Sequence, residues 1–149
     1  MRSKPRLFLD TSALFAGIWS AQGGARMLLK LGEAGAVELL VSSQVLEEIE
    51  DVMRRKAAQL LPTLALLLDR SQTKIEPTAP SEIVERCNSL VSHAGDAHIL
   101  SDAWANQADF LVTLDRAHFL DVPGLDGQVP FLIGTPGDCL NWIREKLQT

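Results

Sequence analysis

Apolar positions in this chain fall into two patterns. The first is a set of short dense runs: Arg6 to Leu9, Val37 to Val41, Phe110 to Leu114 and Pro130 to Ile133. They lack the alternation of a strand with one wet face, so they predict strands buried on both sides, as in a parallel sheet. Lys74-Ile75-Glu76, just before Pro77, is a poorer strand candidate. The second pattern has helical spacing. It predicts helices over Ala25 to Ala34, Gln44 to Lys56, Leu60 to Leu68, Ser81 to Val91 and Asp96 to Gln107, with a last one from Gly137 or Asp138 to Leu147. Gly32 and Gly35 punctuate the end of the first. Ser42 or Ser43 caps the second, Pro62 suits a first turn in the third, and Ser81 is the natural cap of the fourth.

Strands alternating with helices specify the α/β class, with helices on both faces of a mainly parallel sheet. No repeat, low-complexity tract or linker interrupts the pattern, and Pro77 to Pro80 is too short to divide domains. The chain therefore reads as one domain over residues 1–149. Its leucine-rich Leu60–Leu68 block also suits a helical-hairpin insert or an oligomer surface.

Composition narrows this picture. Hydrophobic residues at 46% and charged residues at 22% are ordinary for a folded soluble protein. No apolar run approaches the roughly 20 residues needed to span a bilayer. The basic start, Met1 to Arg6, meets Asp10 after only Leu7-Phe8-Leu9, too early for the apolar part of a secretory signal. The expectation is a cytoplasmic protein with no membrane association. Cys87 and Cys139 are far apart and in no metal-binding spacing, so they read as two reduced, buried thiols. A net charge of −5 excludes gripping nucleic acid by bulk electrostatics. It is compatible with an enzyme that only visits its substrate, because bound divalent cations reverse the sign locally.

In an open α/β sheet, ligands bind beyond the carboxyl ends of the strands. Asp10 and Asp115 each directly follow an apolar run. In the helix over Gln44 to Lys56, at about 100° per residue, Val45, Leu46, Ile49, Val52 and Met53 form one apolar face. Glu47 and Asp51 point away from it, whereas Glu48 and Glu50 lie on its opposite borders. Periodicity leaves those two tied. In the later helix Asp96 shares the packing face with Ile99, Leu100 and Ala103, while His98 and Asp102 project from the other side and read as surface residues. Each acid alone also has a plainer role as a helix cap or dipole partner. Several carboxylates within about 4–6 Å repel unless neutralised. A hard divalent ion such as Mg²⁺ or Mn²⁺ resolves that conflict and can activate water at a phosphodiester. No His/Cys set at zinc-like spacing competes for the role.

At these residues the sequence resembles a PIN domain. The pieces that carry the resemblance occur in order: Leu7-Phe8-Leu9-Asp10-Thr11-Ser12, then Val41 to Ile49, then Asp96-Ala97-His98-Ile99-Leu100, then Ala108 to Arg116, and finally Leu132-Ile133-Gly134-Thr135-Pro136. The resemblance implies an α/β/α sandwich and a metal-dependent ribonuclease acting on single-stranded or structured RNA. By motif position the family's acidic quartet falls on Asp10, Glu48, Asp96 and Asp115, which would hold one or two Mg²⁺ or Mn²⁺ ions. That selects Glu48 over Glu50. Ser12 and Thr113 fall where the family often has a small polar residue supporting the cluster. Many compact bacterial members are toxins of toxin–antitoxin modules, held inactive by a small antitoxin protein, and homodimers are common.

Other residues have two readings each. Arg116, beside Asp115, is either a phosphate contact or half of a surface salt bridge. His93 and His118 are either substrate or phosphate contacts or, as the plainer reading, solvated or structural histidines. Arg54-Arg55-Lys56 ends a helix, where cations suit the dipole. Trp19, Trp104 and Trp142 are scattered singly, as anchors of a core or interface. A catalytically silent PIN-like module binding RNA or protein is the alternative function. An aspartyl-phosphate phosphatase would want a second acid two residues after Asp10, where Ser12 stands.

Overall fold

The computed structural model describes residues 4–148, which leaves Met1 to Ser3 of the basic start outside the described residues. The apolar runs become neighbouring strands: β1 (Arg6–Leu9), β2 (Glu38–Ser42), β4 (Phe110–Val112) and β5 (Leu132–Gly134). The poorer candidate, Lys74–Glu76, is β3 and forms an edge of the sheet. All four pairings are parallel, in the order β3-β2-β1-β4-β5. Leu7, Phe8 and Leu9 are all at most 2% exposed, as are Leu39, Leu40 and Val41, so neither face of the central strands meets water. Each such side chain contributes about 1.5–3 kcal/mol on burial, which only helices packed on both faces can supply. The result is the α/β/α sandwich expected.

The helices are α1 (Thr11–Trp19), α2 (Gly24–Glu33), α3 (Ser43–Lys56), α4 (Leu61–Arg70), α5 (Ser81–Asn88), α6 (Ala94–Ala105) and α7 (Pro136–Leu147). The apolar and polar pattern named no helix at α1. That segment is apolar nearly throughout: Ala13, Leu14, Gly17 and Ile18 are buried, but Phe15, Ala16 and Trp19 on the less buried side are apolar too, so no polar face gives a period. Ser42 is the cap of α3, its hydroxyl accepting from the Val45 amide at 3.1 Å. Thr135 and Asp138 close a reciprocal capping box on α7. Ser81, in contrast, starts α5 without acting as a side-chain cap.

Gly35 ends α2 with a φ of +76°, as a glycine stop should. Gly32 does not punctuate; it lies inside the helix. A Cβ there would fall 2.6 Å from Leu39 Cδ1 and 2.8 Å from the Ser71 carbonyl oxygen, so the missing side chain lets α2 lie directly against β2. The Leu60–Leu68 block is α4 with a short 3₁₀ lead-in, packed on α1, α2 and α3 with Leu64 buried. No helix among the described residues is long and apolar enough to cross a membrane.

The strand order has a functional consequence. From β1 the chain builds outward to β2 and β3, then crosses to the far side of β1 for β4 and β5. The reversal leaves a crevice at the carboxyl ends of β1 and β4, the place where open α/β sheets bind ligands.

Candidate active site

Asp10 is the first residue after β1 and caps α1, its Oδ1 accepting from the Ala13 amide at 2.9 Å and the Ser12 hydroxyl at 2.7 Å. Its Oδ2 accepts from the Thr113 hydroxyl across the β1–β4 junction. Thr113 is fully buried, and its oxygen in turn accepts from the Asp115 amide at 3.0 Å. Ser12 Oγ accepts from the Leu114 amide at 2.9 Å. Two hydroxyls thus stitch the two strand ends together around one carboxylate.

Asp115 caps a single π-turn, Arg116–Leu120, through a 3.0 Å bond from the His118 amide to its Oδ1. Glu48 projects from α3, where Thr11 donates to its Oε2 at 2.7 Å and Gln44 to its Oε1 at 3.1 Å. Asp96 sits in the first turn of α6. The four acids line one cavity of about 640 Å³, together with Phe15, Trp19, Val52, Lys56, Leu114 and Phe119 among others. Glu50 is elsewhere, paired with Arg54 at 3.1 Å, so geometry separates the two borders of the α3 stripe that periodicity left tied. Arg116 does not line the cavity. It is bonded through two nitrogens to Asp121, at 3.2 and 3.1 Å, on the surface.

Negative charge predominates in the cavity, with Lys56 in its lining and His118 beside Asp96. Burial holds the Asp10 carboxyl above its ordinary range, with the Asp115 charge adding to the effect and the bonds from Thr113, Ala13 and Ser12 opposing it. Those side-chain and backbone donors are all neutral. A buried carboxylate with neutral donors, sharing a cavity with three more carboxylates and Lys56, is part of a set of hard oxygen ligands that stays net negative. These residues fit a divalent cation of the Mg²⁺ or Mn²⁺ kind.

Two residues read as surface from their spacing are not. Asp102 is 1% exposed, with Oδ1 accepting from the Ala79 amide at 2.8 Å and Oδ2 without a hydrogen-bond partner among the described residues. The His98 Nδ1 is likewise buried and unpartnered. The spacing argument assumed that α6 had one wet side. Instead α5 packs against it, and Ala97 and Ile99 through Ala103 are all buried.

Sequence spacing did not place Lys56 in the cavity or bring His118 to Asp96. Lys56 follows Glu48 and Val52 at steps of four along α3, a signal present in the sequence but overridden by its place beside Arg54 and Arg55. His118 Nδ1 lies 3.0 Å from Asp96 Oδ2 and 3.7 Å from Asp115 Oδ2, and the Asp96 hydrogen bond and charge push its pKa up. No helical or strand period places a residue on a π-turn. Trp19 stacks on Phe15 at 5.9 Å and stays 61% exposed beside the cavity, whereas Trp104 and Trp142 pack on the core. Both cysteines are buried and unbridged, and burial pushes the Cys139 thiol up to about 12, unsuited to nucleophilic work.

A family model described as PIN domain matches residues 6–117. The structure is similar to that of PAE2754 from Pyrobaculum aerophilum, with a TM-score of 0.66 and 17% identity over 97% of this chain and 94% of that one. It is also similar to VapBC2 from Rickettsia felis, solved bound to a DNA fragment from their promoter, with a TM-score of 0.63 and 20% identity over 86% of this chain and 96% of that one. At these identities the likeness is one of fold. Comparison with curated proteins finds no match.

Proposed function

Because the chain belongs to the PIN domain family, we propose that its carboxylate cavity is the catalytic centre of a metal-dependent endoribonuclease. The observation that carries this reading is the convergence of Asp10, Glu48, Asp96 and Asp115, from four separate elements, on one cavity at the sheet's reversal point. Those four residues would hold one or two Mg²⁺ or Mn²⁺ ions, which when bound supply an activated water and neutralise charge at the scissile phosphate.

The chain's own residues set the geometry. Ser12 and Thr113 fix both oxygens of Asp10, yet each carboxylate oxygen can accept twice, so Oδ2 keeps a lone pair for a ligand. Thr11 and Gln44 hold Glu48, the most exposed acid of the set, among the cavity's lining residues. Lys56, the cation among the cavity's lining residues, is placed to meet a phosphate of the bound strand. Phe15, Trp19 and Leu114 give the mouth apolar surface against which an unstacked base can lie. This supports single-stranded RNA as substrate.

The likeness of fold to VapBC2, together with the motif resemblance, supports a place as the toxin of a toxin–antitoxin module, restrained by a small protein partner. The test of the activity uses purified protein and a fluorescent single-stranded RNA, with Mn²⁺ or with chelator. Asp10→Asn and Asp96→Asn should each retain the wild-type circular dichroism spectrum and lose metal-dependent cleavage. Unchanged cleavage by both variants would falsify the assignment.

A further inference from the structure

Beside the carboxylate cavity lies a second hollow of about 430 Å³, lined in part by Ser92, His93, Asp96, Ala117, His118 and Val122. Asp96 lines both. Its Oδ2 is 3.0 Å from His118 Nδ1 and 3.7 Å from His93 Nδ1, and the two imidazole rings stack at 4.5 Å with 9° between their planes. One donor atom from each of the three residues lies within 4.8 Å of the others.

We propose that His93, Asp96 and His118 form a second metal site, selective for a borderline ion of the zinc class, which competes with the carboxylate cluster for Asp96. The donor chemistry separates the two sites. Two imidazole nitrogens and one carboxylate oxygen suit zinc and its neighbours, whereas the all-oxygen set of Asp10, Glu48 and Asp115 suits hard ions. Zn–N bonds of 2.0–2.1 Å imply donor separations of roughly 3.3 Å in a tetrahedral site. The present spread closes to that by movement of side chains alone. His93, at 63% exposure, is free to turn its ring out of the stack, giving up a 3.2 Å contact with the Ser92 hydroxyl. Three protein ligands then leave one position open to solvent. The site itself stands on the imidazoles; its consequence for activity rests on the nuclease reading above. An ion held by the histidines draws Asp96 out of the catalytic set, and by reciprocity each ion weakens the other's binding.

The experiment is calorimetric titration of the full chain with Zn²⁺ and, separately, with Mn²⁺, with Co²⁺ as a spectroscopic probe of coordination. Zn²⁺ should bind one to one, and His93→Ala and His118→Ala should each weaken it by at least about tenfold. Co²⁺ should show the visible absorption of a four-coordinate site in the wild type and lose it in both variants. One equivalent of Zn²⁺ added beforehand should weaken Mn²⁺ binding more in the wild type than in His93→Ala, whose altered side chain lies outside the carboxylate cavity. Equal Zn²⁺ affinity in all three proteins overturns the site. Histidine-dependent Zn²⁺ binding that leaves Mn²⁺ affinity unchanged overturns the competition. If no form binds Mn²⁺, the nuclease reading falls, while a histidine-dependent zinc isotherm still supports the second site.

Discussion

Replacing Thr113 by valine keeps the shape of a fully buried side chain and removes its oxygen. That oxygen donates to Asp10 Oδ2 and accepts from the Asp115 amide. A hydrogen bond to a carboxylate contributes about 1.5–3 kcal/mol and a neutral one about 0.5–1.5, so Thr113→Val should cost about 2–4 kcal/mol in all. Thr113→Ser keeps both bonds and loses one methyl, at about 1 kcal/mol. For a chain of this size about 2–4 °C of melting temperature goes with each kcal/mol, so valine should lower it by roughly 4–16 °C. The pH dependence sharpens the test. Asp10's carboxyl is already held high by burial, and Thr113 is the strongest influence pulling it down. Without that pull it rises further. Stability from a raised carboxyl is present below its unfolded pKa of about 3.9 and is lost as pH climbs through the folded value. Urea melts in chelator should therefore show the deficit of valine against serine growing from pH 4 to pH 7.5. If the two variants melt alike, or their gap is constant with pH, the account of Asp10 as a desolvated carboxylate held by Thr113 is wrong.

Two further outcomes follow from side chains on α3 and α6. Glu48→Gln should reduce metal-dependent RNA cleavage by on the order of a hundredfold, while Glu50→Gln, which loses only one of the two ion pairs of Arg54, should stay within about threefold; initial rates on one RNA decide between them. Asp102 is raised by burial, so the stability it contributes is present below its unfolded pKa and declines as pH rises through the folded one. Asp102→Asn keeps the carbonyl that accepts from the Ala79 amide, and its unfolding free energy should change less between pH 4.5 and 7.5 than the wild type's.

Much of the fold was legible because burial on both faces leaves an unmistakable trace: Leu7-Phe8-Leu9 and Leu39-Leu40-Val41 have no polar alternation to mistake for a half-wet sheet. Asp10 and Asp115 were legible for the same reason, each being the first charged residue after such a run. Periodicity worked on α3, which has a wet side and a dry one. It failed on α1, whose exposed side is largely apolar as well, and on α6, which is covered more nearly all round, and so it overlooked one helix and put Asp102 on the surface. His118 reached Asp96 through a π-turn whose five-residue closure, from the Asp115 carbonyl to the Leu120 amide at 3.1 Å, has no period in the sequence.

The stitch between Asp10 and Thr113 also sets a schedule. Its partners are 103 residues apart, and β1 pairs with β4 through Leu7–Phe110, Phe8–Leu111 and Leu9–Val112. During synthesis at about 5–20 residues per second, Asp10 therefore waits roughly 5–20 s for its neighbour to be made. Long-range parallel pairing is slow to form even then. A nascent chain accordingly carries Asp10 long before the cavity that Asp10 lines can form. The central strand gains its second neighbour only with β4, and the cavity at its carboxyl end forms no earlier than that.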